Sequence, residues 1–336
     1  MHESFIDKLI CPACHGPLAW AVAEHARGSI ETGEACCDGC AIAYPVHQGI
    51  GVFLPPGQRG GENWAAYWAK AVQEDPELDR KLMQAPLETL LPADLFLRAQ
   101  VLAGQGKYAQ SEAMGRLANQ GFRSGGSTMP TEAPDENPFV GQFGFVAGLL
   151  ASASDPVIDF ASGGCAMVRH LAKRLPRTFA VSDVSVGAME QSRGWLRYGG
   201  LEGRVSQFCF DAKRMPFRSG SVETMTTFVG FQEMRNNAAV FRETRRVVSG
   251  RLLAVSCYYS ENDAGNAEAI REFGMDEMFF REPNLARFRD AGWSVEVANE
   301  QEARAYPTPK GRIHSGTVNR FPVVRTTVRW CTIVAR

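Results

Sequence analysis

The stretch Val157-Ile-Asp-Phe-Ala-Ser-Gly-Gly-Cys165 is the part of the sequence that decides the expected fold. An apolar run meets an aspartate and then a row of small side chains, which is typical of a buried strand that turns tightly into a helix. The helix is expected over 166–175, where apolar residues recur at three- and four-residue spacings, and Pro176 ends it. Such a turn presents free backbone N–H groups to a polar or anionic ligand.

Two further strand-like runs also end in a carboxylate. The first closes on Asp183, about 20 residues beyond Gly163, and the second closes on Asp211. In a Rossmann-like unit an acid at the position of Asp183 hydrogen-bonds a ribose. Together with Asp159, three acids are therefore expected along the carboxyl edge of one parallel sheet.

The order and spacing of these features resemble the class I S-adenosylmethionine (SAM) dependent methyltransferases over about residues 143–336. The resemblance implies an α/β fold with a Rossmann-like, seven-stranded methyltransferase sheet that ends in an antiparallel hairpin, here at 293–297 and 323–334. The family's first turn usually reads acid-x-Gly-x-Gly-x-Gly, whereas this chain has Ala161 and Cys165 for the first and last glycine. Cys165 narrows the space beside the methionine part of the cofactor. The fuller Gly-x-Gly-x-x-Gly fingerprint of NAD-binding proteins is absent.

The resemblance also implies roles for individual residues. Asp183 would hold the ribose hydroxyls, and Asp211 with Ala212 would contact the adenine. The implied cofactor-binding positions are Asp159, Ala161, Gly163, Asp183, Val184, Asp211, Ala212 and Phe228. Family members often carry a histidine after the fourth strand, where this chain has Glu233. Glu233 is the candidate base, needed only if the acceptor must lose a proton, and the alternative is a surface carboxylate near Arg235.

Nine cysteines include two Cys-x-x-Cys pairs, Cys11-Pro-Ala-Cys14 and Cys37-Asp-Gly-Cys40, with 22 residues between the pairs. This spacing is typical of a zinc site, and four thiolates leave no open coordination position, which indicates a structural zinc. Cys36 is expected to take no part, although it could replace Cys37 in the shell at a less usual spacing from Cys40. The alternative is a set of reduced cysteines with chance spacing.

The sequence around the cysteines resembles the zinc-ribbon family of small methyltransferase activator subunits (Trm112p-like) over about residues 5–54. The ribbon is too small for a core of its own, so metal binding is expected to supply its folding free energy. Loss of zinc is expected to unfold the ribbon without abolishing SAM binding.

Three domains are predicted: the ribbon over 1–56, a helical linker or cap over 57–142, and the methyltransferase domain over 143–336. Trp64, Tyr67, Trp68 and Val72 recur at helical spacing in the second, which either packs as core or covers the methyl donor. The run 121–138 is expected to be a loop. A helix is also expected from Pro283 to Gly292.

The charge balance limits the possible partners. With 36 basic and 37 acidic side chains, no overall field draws the chain to nucleic acid or to a membrane. No apolar run of about 18 residues suggests a membrane span, and the first residues do not resemble a signal peptide, so a cytoplasmic location is predicted. The sequence does not determine the oligomeric state.

The preferred function is methylation of a small metabolite, with Phe143, Phe231, Glu233 and Tyr258 near the transferable methyl. The first alternative is methylation of a guanine in ribosomal RNA, which the order of ribbon, helical linker and catalytic domain resembles, with contacts from the basic loop 304–320. The second alternative is a SAM-fold scaffold or activator without catalysis, motivated by Cys165.

Overall fold

The computed structural model describes residues 1–26, 28–55, 57, 71–72, 74–123, 138–154, 156–308 and 310–336. The chain forms a mixed sheet of eleven strands in the order β1-β2-β3-β4-β7-β6-β5-β8-β9-β11-β10. The strands are β1 (Leu18–Ala26), β2 (Ser29–Cys37), β3 (Ala43–His47), β4 (Ile50–Phe53), β5 (Val157–Asp159), β6 (Phe179–Asp183), β7 (Val205–Phe210), β8 (Val222–Phe228), β9 (Val248–Tyr258), β10 (Val295–Ala305) and β11 (Thr326–Ala335).

Seven of these strands, β5 to β11, form the predicted Rossmann-like sheet. β5 to β9 are parallel, and β10 and β11 form the antiparallel hairpin at one edge. β5, β6 and β7 are buried along their whole length, as their continuous apolar runs indicate for strands covered on both faces. The sequence-based fold class is therefore confirmed.

Helices cover both faces of this sheet. They are α1 (Pro76–Gln84), α2 (Pro92–Gly104), α3 (Tyr108–Arg123), α4 (Pro138–Leu150), α5 (Ala166–Arg174), α6 (Val186–Tyr198), α7 (Gly230–Glu233), α8 (Ala238–Val247), α9 (Ala264–Glu272), α10 (Asp276–Phe279) and α11 (Arg281–Asp290). One hydrophobic core contains apolar residues of α4, α5 and α6, and the other contains those of α8 and α11. The helices around the first strand-to-helix turn begin and end close to where the sequence predicted.

The ribbon (residues 1–54) continues the Rossmann-like sheet. β4 pairs in parallel with β7, from Ile50 opposite Gln207 to Phe53 opposite Phe210. The Phe5 and Phe53 rings lie 5.1 and 6.1 Å from the ring of Phe208, and these residues share one core cluster. The predicted ribbon is thus a four-stranded extension of this sheet and shares a core cluster with it.

The helices α1 to α3, here called the insertion, pack on helices α5 and α6 of the Rossmann-like part. The ring of Tyr108 lies 4.9 Å from that of Trp195 in α6, and Glu112 is 3.6 Å from the Arg169 guanidinium in α5. The predicted helical positions Trp64, Tyr67 and Trp68 lie outside the described residues, as do residues 124–137 of the predicted loop.

Several boundaries differ from the sequence-based expectation. The helix expected at Pro283 begins at Arg281, and Arg304 belongs to β10 rather than to a loop. The predicted boundary between residues 142 and 143 lies inside α4. No helix within the described residues is long and apolar enough to cross a membrane.

Candidate cofactor site and cysteine cluster

The first turn, residues 160–165, has an alternating backbone conformation. Ala161, Gly163 and Cys165 all lie in the left-handed region, with φ of 51°, 50° and 57°. Alternation of left- and right-handed residues brings successive N–H groups to one side of the chain, which suits an anionic or polar ligand. Ala161 and Cys165 adopt the left-handed conformation although they replace two glycines of the family pattern, so the turn forms without those glycines.

Asp159 closes β5 and is 1% exposed. The Thr226 hydroxyl donates a 2.7 Å hydrogen bond to its Oδ1. Burial raises the pKa of Asp159 to about 7. The Asp159 carboxyl group is thus held at the start of the turn by Thr226, a partner that nothing in the sequence indicated.

Asp183 joins the end of β6 to the first turn. Its Oδ2 accepts a 3.1 Å hydrogen bond from the Gly163 N–H, and its Oδ1 accepts one of 3.0 Å from the Ser185 N–H. Two main-chain N–H groups, one from the first turn and one from the residue two positions further on, thus orient the Asp183 carboxylate. Val184, the next residue, is half-buried.

Asp211 and Ala212 lie just beyond β7, whose Cys209 pairs with Asp183 of β6. Asp211 is half-buried and Oδ1 accepts a 2.9 Å hydrogen bond from the Lys213 N–H, while Ala212 is buried. The structure therefore places the three strand-end acids on adjacent strands at one edge of the sheet.

A buried ion pair holds the loop that follows Asp211. Glu243 Oε1 accepts a 2.8 Å hydrogen bond from the Met215 N–H and lies 2.6 Å from Arg246. Arg246 also donates a 2.8 Å hydrogen bond to the Phe217 carbonyl. Glu243 and Arg246 thus hold the loop that follows Asp211 and Ala212, the candidate adenine contacts.

Phe228, at the end of β8, belongs to a cluster of aromatic rings. Its ring stacks on Trp330 with centroids 6.0 Å apart and planes at 16°, and it meets Phe143 edge-on at 4.9 Å. Phe139 contacts Phe143, Phe228 and Trp330. Phe139, Phe228 and Trp330 are only half-buried, so the cluster offers apolar ring surface beside the carboxyl edge.

Glu233 lies at the end of the short helix α7. Its carboxylate is reached by solvent, yet the protein around it raises its pKa by desolvation. The neighbouring Gln232 fixes α7, because it donates to the Met278 carbonyl at 3.0 Å and accepts from the Cys257 N–H at 3.1 Å. Glu233 is thereby presented on an ordered element next to β8.

Two aromatic residues expected near the methyl group belong to the core instead. The Phe231 ring stacks on Phe241 with centroids 4.2 Å apart, and both are about 1% exposed. Tyr258 is 3% exposed, and its hydroxyl donates a 2.7 Å hydrogen bond to Asn284. The alternation of β9 turns Tyr258 into the core.

The four cysteines of the two pairs come together in the ribbon. The sulfur atoms of Cys11, Cys14, Cys37 and Cys40 all lie within 4.8 Å of one another. Cys11 Sγ is also 3.2 Å from the Tyr44 hydroxyl, and the sulfurs of Cys14 and Cys37 are 3.4 Å apart. Cys36 points away and contacts Glu34, as the sequence predicted for a residue outside the cluster. This donor set fits a tetrahedral metal ion.

Comparison with known proteins found matches for the ribbon and for the domain that contains the first turn. Residues 157–250 match the family described as methyltransferase domain, and residues 3–49 match the family of Trm112p-like proteins. A UPF0434 protein of Leptothrix cholodnii is 35% identical over 71 residues, which is 21% of this chain and 94% of that protein. A UPF0434 protein of Methylobacillus flagellatus is 35% identical over 54 residues, 16% of this chain and 77% of that protein.

Solved structures with a similar chain path include YcgJ of Bacillus subtilis, with a TM-score of 0.45 and 14% identity over 57% of this chain and 96% of that one. Geranyl diphosphate C-methyltransferase of Streptomyces coelicolor A3(2) has a TM-score of 0.44 and 13% identity over 59% of this chain and 78% of that one. The chain therefore belongs with the UPF0434 proteins through its ribbon, which also matches the Trm112p-like family, and the part that follows carries a methyltransferase domain over residues 157–250.

Proposed function

We propose that the chain transfers the methyl group of SAM to a small-molecule acceptor. The proposed cofactor site consists of Asp159, Ala161, Gly163, Asp183, Val184, Asp211, Ala212 and Phe228. The observation that carries the proposal is the Asp183 carboxylate, which touches the first turn through the Gly163 N–H at 3.1 Å and follows the strand next to β5. An acid in that place supports ribose binding.

Bound SAM would supply an electrophilic methyl group on a sulfonium, which leaves as a neutral thioether. The chain has only to align the acceptor with that methyl and to exclude water, and alignment alone can contribute several kcal/mol. The ring surface of Phe139, Phe228 and Trp330 supports an acceptor with an apolar or planar part beside the methyl.

Glu233 is the proposed base. Its raised pKa keeps the carboxylate more basic than an ordinary surface glutamate, as removal of a proton from an acceptor hydroxyl or ring N–H requires. Transfer would then form the bond from the acceptor heteroatom to the methyl carbon, break the carbon–sulfur bond and leave the proton on Glu233.

We propose a structural zinc on Cys11, Cys14, Cys37 and Cys40. Four sulfurs within 4.8 Å of one another support a closed tetrahedral shell. We also propose the functional division into ribbon (1–56), cap (57–142) and methyltransferase domain (143–336), with a location in the cytoplasm.

The charge of the ribbon favours the small molecule over ribosomal RNA. Residues 1–54 contain six acidic and only two basic side chains, so the ribbon would repel a phosphate backbone. In the basic segment, the Arg320 guanidinium lies 4.6 Å over the Phe273 ring. Part of that charge is therefore already engaged in contacts within the protein.

The test is a screen for methyl transfer from labelled SAM to pools of small molecules and, in parallel, to ribosomal RNA fragments at two salt concentrations. We expect labelling of a small molecule with little dependence on salt. If only RNA is labelled, and the labelling is lost at high salt, the acceptor is ribosomal RNA and the proposal of a small-molecule acceptor is wrong. Failure to bind S-adenosylhomocysteine would contradict both.

A further inference from the structure

Asp94, on α2, is a fully buried carboxylate whose partners come from a distant part of the chain. It is 0% exposed. Its oxygens accept hydrogen bonds from the N–H groups of Arg312 (2.6 Å), Ile313 (3.1 Å) and His314 (3.1 Å), and from the Leu91 N–H (3.2 Å). Three consecutive N–H groups more than 200 residues away thus converge on one charged side chain.

These N–H groups belong to the connection between β10 and β11. We call its residues 310–325 the strap. Ile313 and Val318 of the strap pack against apolar residues of α1 and α2, and a side chain at Gly311 would collide with the Asp94 carboxylate. The first half of the strap is therefore shaped to dock on the insertion.

The other end of the strap is held by a second buried side chain, Asn266 of α9. Asn266 is 0% exposed, and Oδ1 accepts from the Val323 N–H at 2.8 Å. Its Nδ2 donates to the Val324 carbonyl at 3.0 Å. Two buried polar residues thus hold the two ends of the strap.

The strap lies on the side of the sheet where the candidate site is. Arg329 of β11 pairs with Tyr258, the last residue of β9, so β11 begins at the carboxyl edge of the parallel strands. The insertion, to which the strap docks, also contacts α5 and α6 through Glu112 and Tyr108. Strap and insertion together therefore connect the two flanks of this edge.

We infer that Asp94 is a positioning residue of the methyltransferase: it holds the strap against the insertion and so fixes the wall of the acceptor side of the site. The inference rests on the proposed function, because only that function identifies this side of the site as the place where the acceptor binds. It predicts that Asp94 governs acceptor binding and leaves SAM binding, which uses β5 to β7, unchanged.

A carboxylate suits this position better than any neutral side chain. Four N–H donors surround it, and hydrogen bonds to a charged group are the strong ones. Asparagine keeps the shape but replaces one acceptor oxygen by an NH₂ group that faces donors, so buried N–H groups of the strap would lose their partner. The strap should then open locally while the rest of the sheet stays folded.

The experiment compares Asp94→Asn with Glu88→Gln, a control at an exposed glutamate nearby. Trypsin is added to the native proteins, and cleavage after Lys310, Arg312 and Arg320 is followed by mass spectrometry. We expect Asp94→Asn to be cleaved there about tenfold faster or more, while the control matches the wild type. The dissociation constant for S-adenosylhomocysteine should change less than about twofold.

Chemical rescue distinguishes the charged contact from a general packing role. In Asp94→Ala a small carboxylate can enter the vacated space, so sodium formate should slow cleavage of the strap, whereas equal sodium chloride should not. With any acceptor found in the methyl-transfer screen, KM for the acceptor should rise in Asp94→Asn more than kcat falls.

The inference is overturned if the strap of Asp94→Asn resists trypsin as well as that of Glu88→Gln does. It is also overturned if S-adenosylhomocysteine affinity is lost together with the protection, because the residue would then support the whole domain. Failure of the proposed function itself would appear in the wild type, as absent binding of S-adenosylhomocysteine with the strap intact.

Discussion

The ribbon and the insertion both pack on the methyltransferase sheet, but they are attached in different ways. The ribbon is joined by main-chain hydrogen bonds, through the β4–β7 pairing and through Ile10 to Pro216 and Arg218 to Lys8, at 2.9 and 2.8 Å. The insertion is joined mainly by individual side chains such as Asp94 and Tyr108. We therefore expect the ribbon to unfold together with the catalytic core, and the insertion to respond locally.

The largest effect is expected from loss of the metal site. Cys37→Ser removes one thiolate ligand, and structural zinc sites contribute on the order of 10 kcal/mol to folding. Because the ribbon shares its core with β7, we expect a single unfolding transition at a much lower temperature and weaker binding of S-adenosylhomocysteine. From the sequence alone we expected SAM binding to survive loss of zinc. The pairing of β4 with β7 leads to the opposite expectation, because unfolding of the ribbon would expose β7.

Metal analysis and calorimetry check this prediction, and Cys36→Ser is the control that should change neither metal content nor stability. A separate low-temperature transition, with the main transition and the ligand affinity unchanged, would show that the ribbon is an independent module after all.

The next largest effect is expected at the contact between β4 of the ribbon and β7 of the sheet. Phe53 is 1% exposed and lies between the rings of Tyr44 and Phe208. Phe53→Ala should lower the free energy of unfolding by about 3 to 5 kcal/mol, as measured in urea. Phe273→Ala removes the same side chain at a position that is 41% exposed and should cost much less. If the free energy of unfolding falls equally in the two variants, Phe53 is not part of a core shared by the ribbon and the sheet.

A smaller effect is expected where the insertion meets α6. A methyl group at Gly194 would overlap the Tyr108 hydroxyl, so Gly194→Ala should displace that ring and cost about 1 to 3 kcal/mol. Gly148→Ala is the matched control, because it is also helical and has open space at that position. The control should be neutral or slightly stabilising. Binding of S-adenosylhomocysteine should be retained in both, and its loss in Gly194→Ala would contradict a local response.

A pH dependence of at most about 1.4 kcal/mol for each pH unit is expected at Asp159. The folded pKa of Asp159, about 7, lies above its unfolded value, so the native state holds the extra proton between about pH 4 and 7. Its contribution is therefore fully present below about pH 4 and falls by up to about 1.4 kcal/mol per pH unit until pH 7. Asp159→Asn keeps an oxygen for the Thr226 hydroxyl and should remove this slope. Parallel stability curves for the two proteins over pH 4 to 7 would contradict the raised pKa.

Features with local signatures could be predicted from the sequence. The Cys-x-x-Cys spacing identified the four clustered sulfurs, and the acids at strand ends identified Asp159, Asp183 and Asp211 because parallel strands bring their carboxyl ends to one edge. The pairing of β4 with β7 had no such signature, since main-chain hydrogen bonds do not depend on side-chain identity.

Long-range polar contacts were equally hidden. Asp94 looks like any acid in the first turn of a helix, and nothing near it indicates partners more than 200 residues away. Tyr258 and Phe231 were expected near the site because they follow strand ends, but strand alternation and the Phe241 stack turn them into the core. The half-buried rings of Phe139 and Trp330 became visible only once α4 and β11 were placed together.

The most direct test of the central assignment is calorimetric titration of wild type and Asp183→Ala with S-adenosylhomocysteine. Loss of a charged hydrogen-bond partner costs about 1.5 to 3 kcal/mol, so we expect the affinity of Asp183→Ala to be about 10- to 150-fold weaker, with the melting temperature of the free protein measured alongside. Equal affinity in the two proteins would contradict a SAM site at the carboxyl edge formed by β5, β6 and β7.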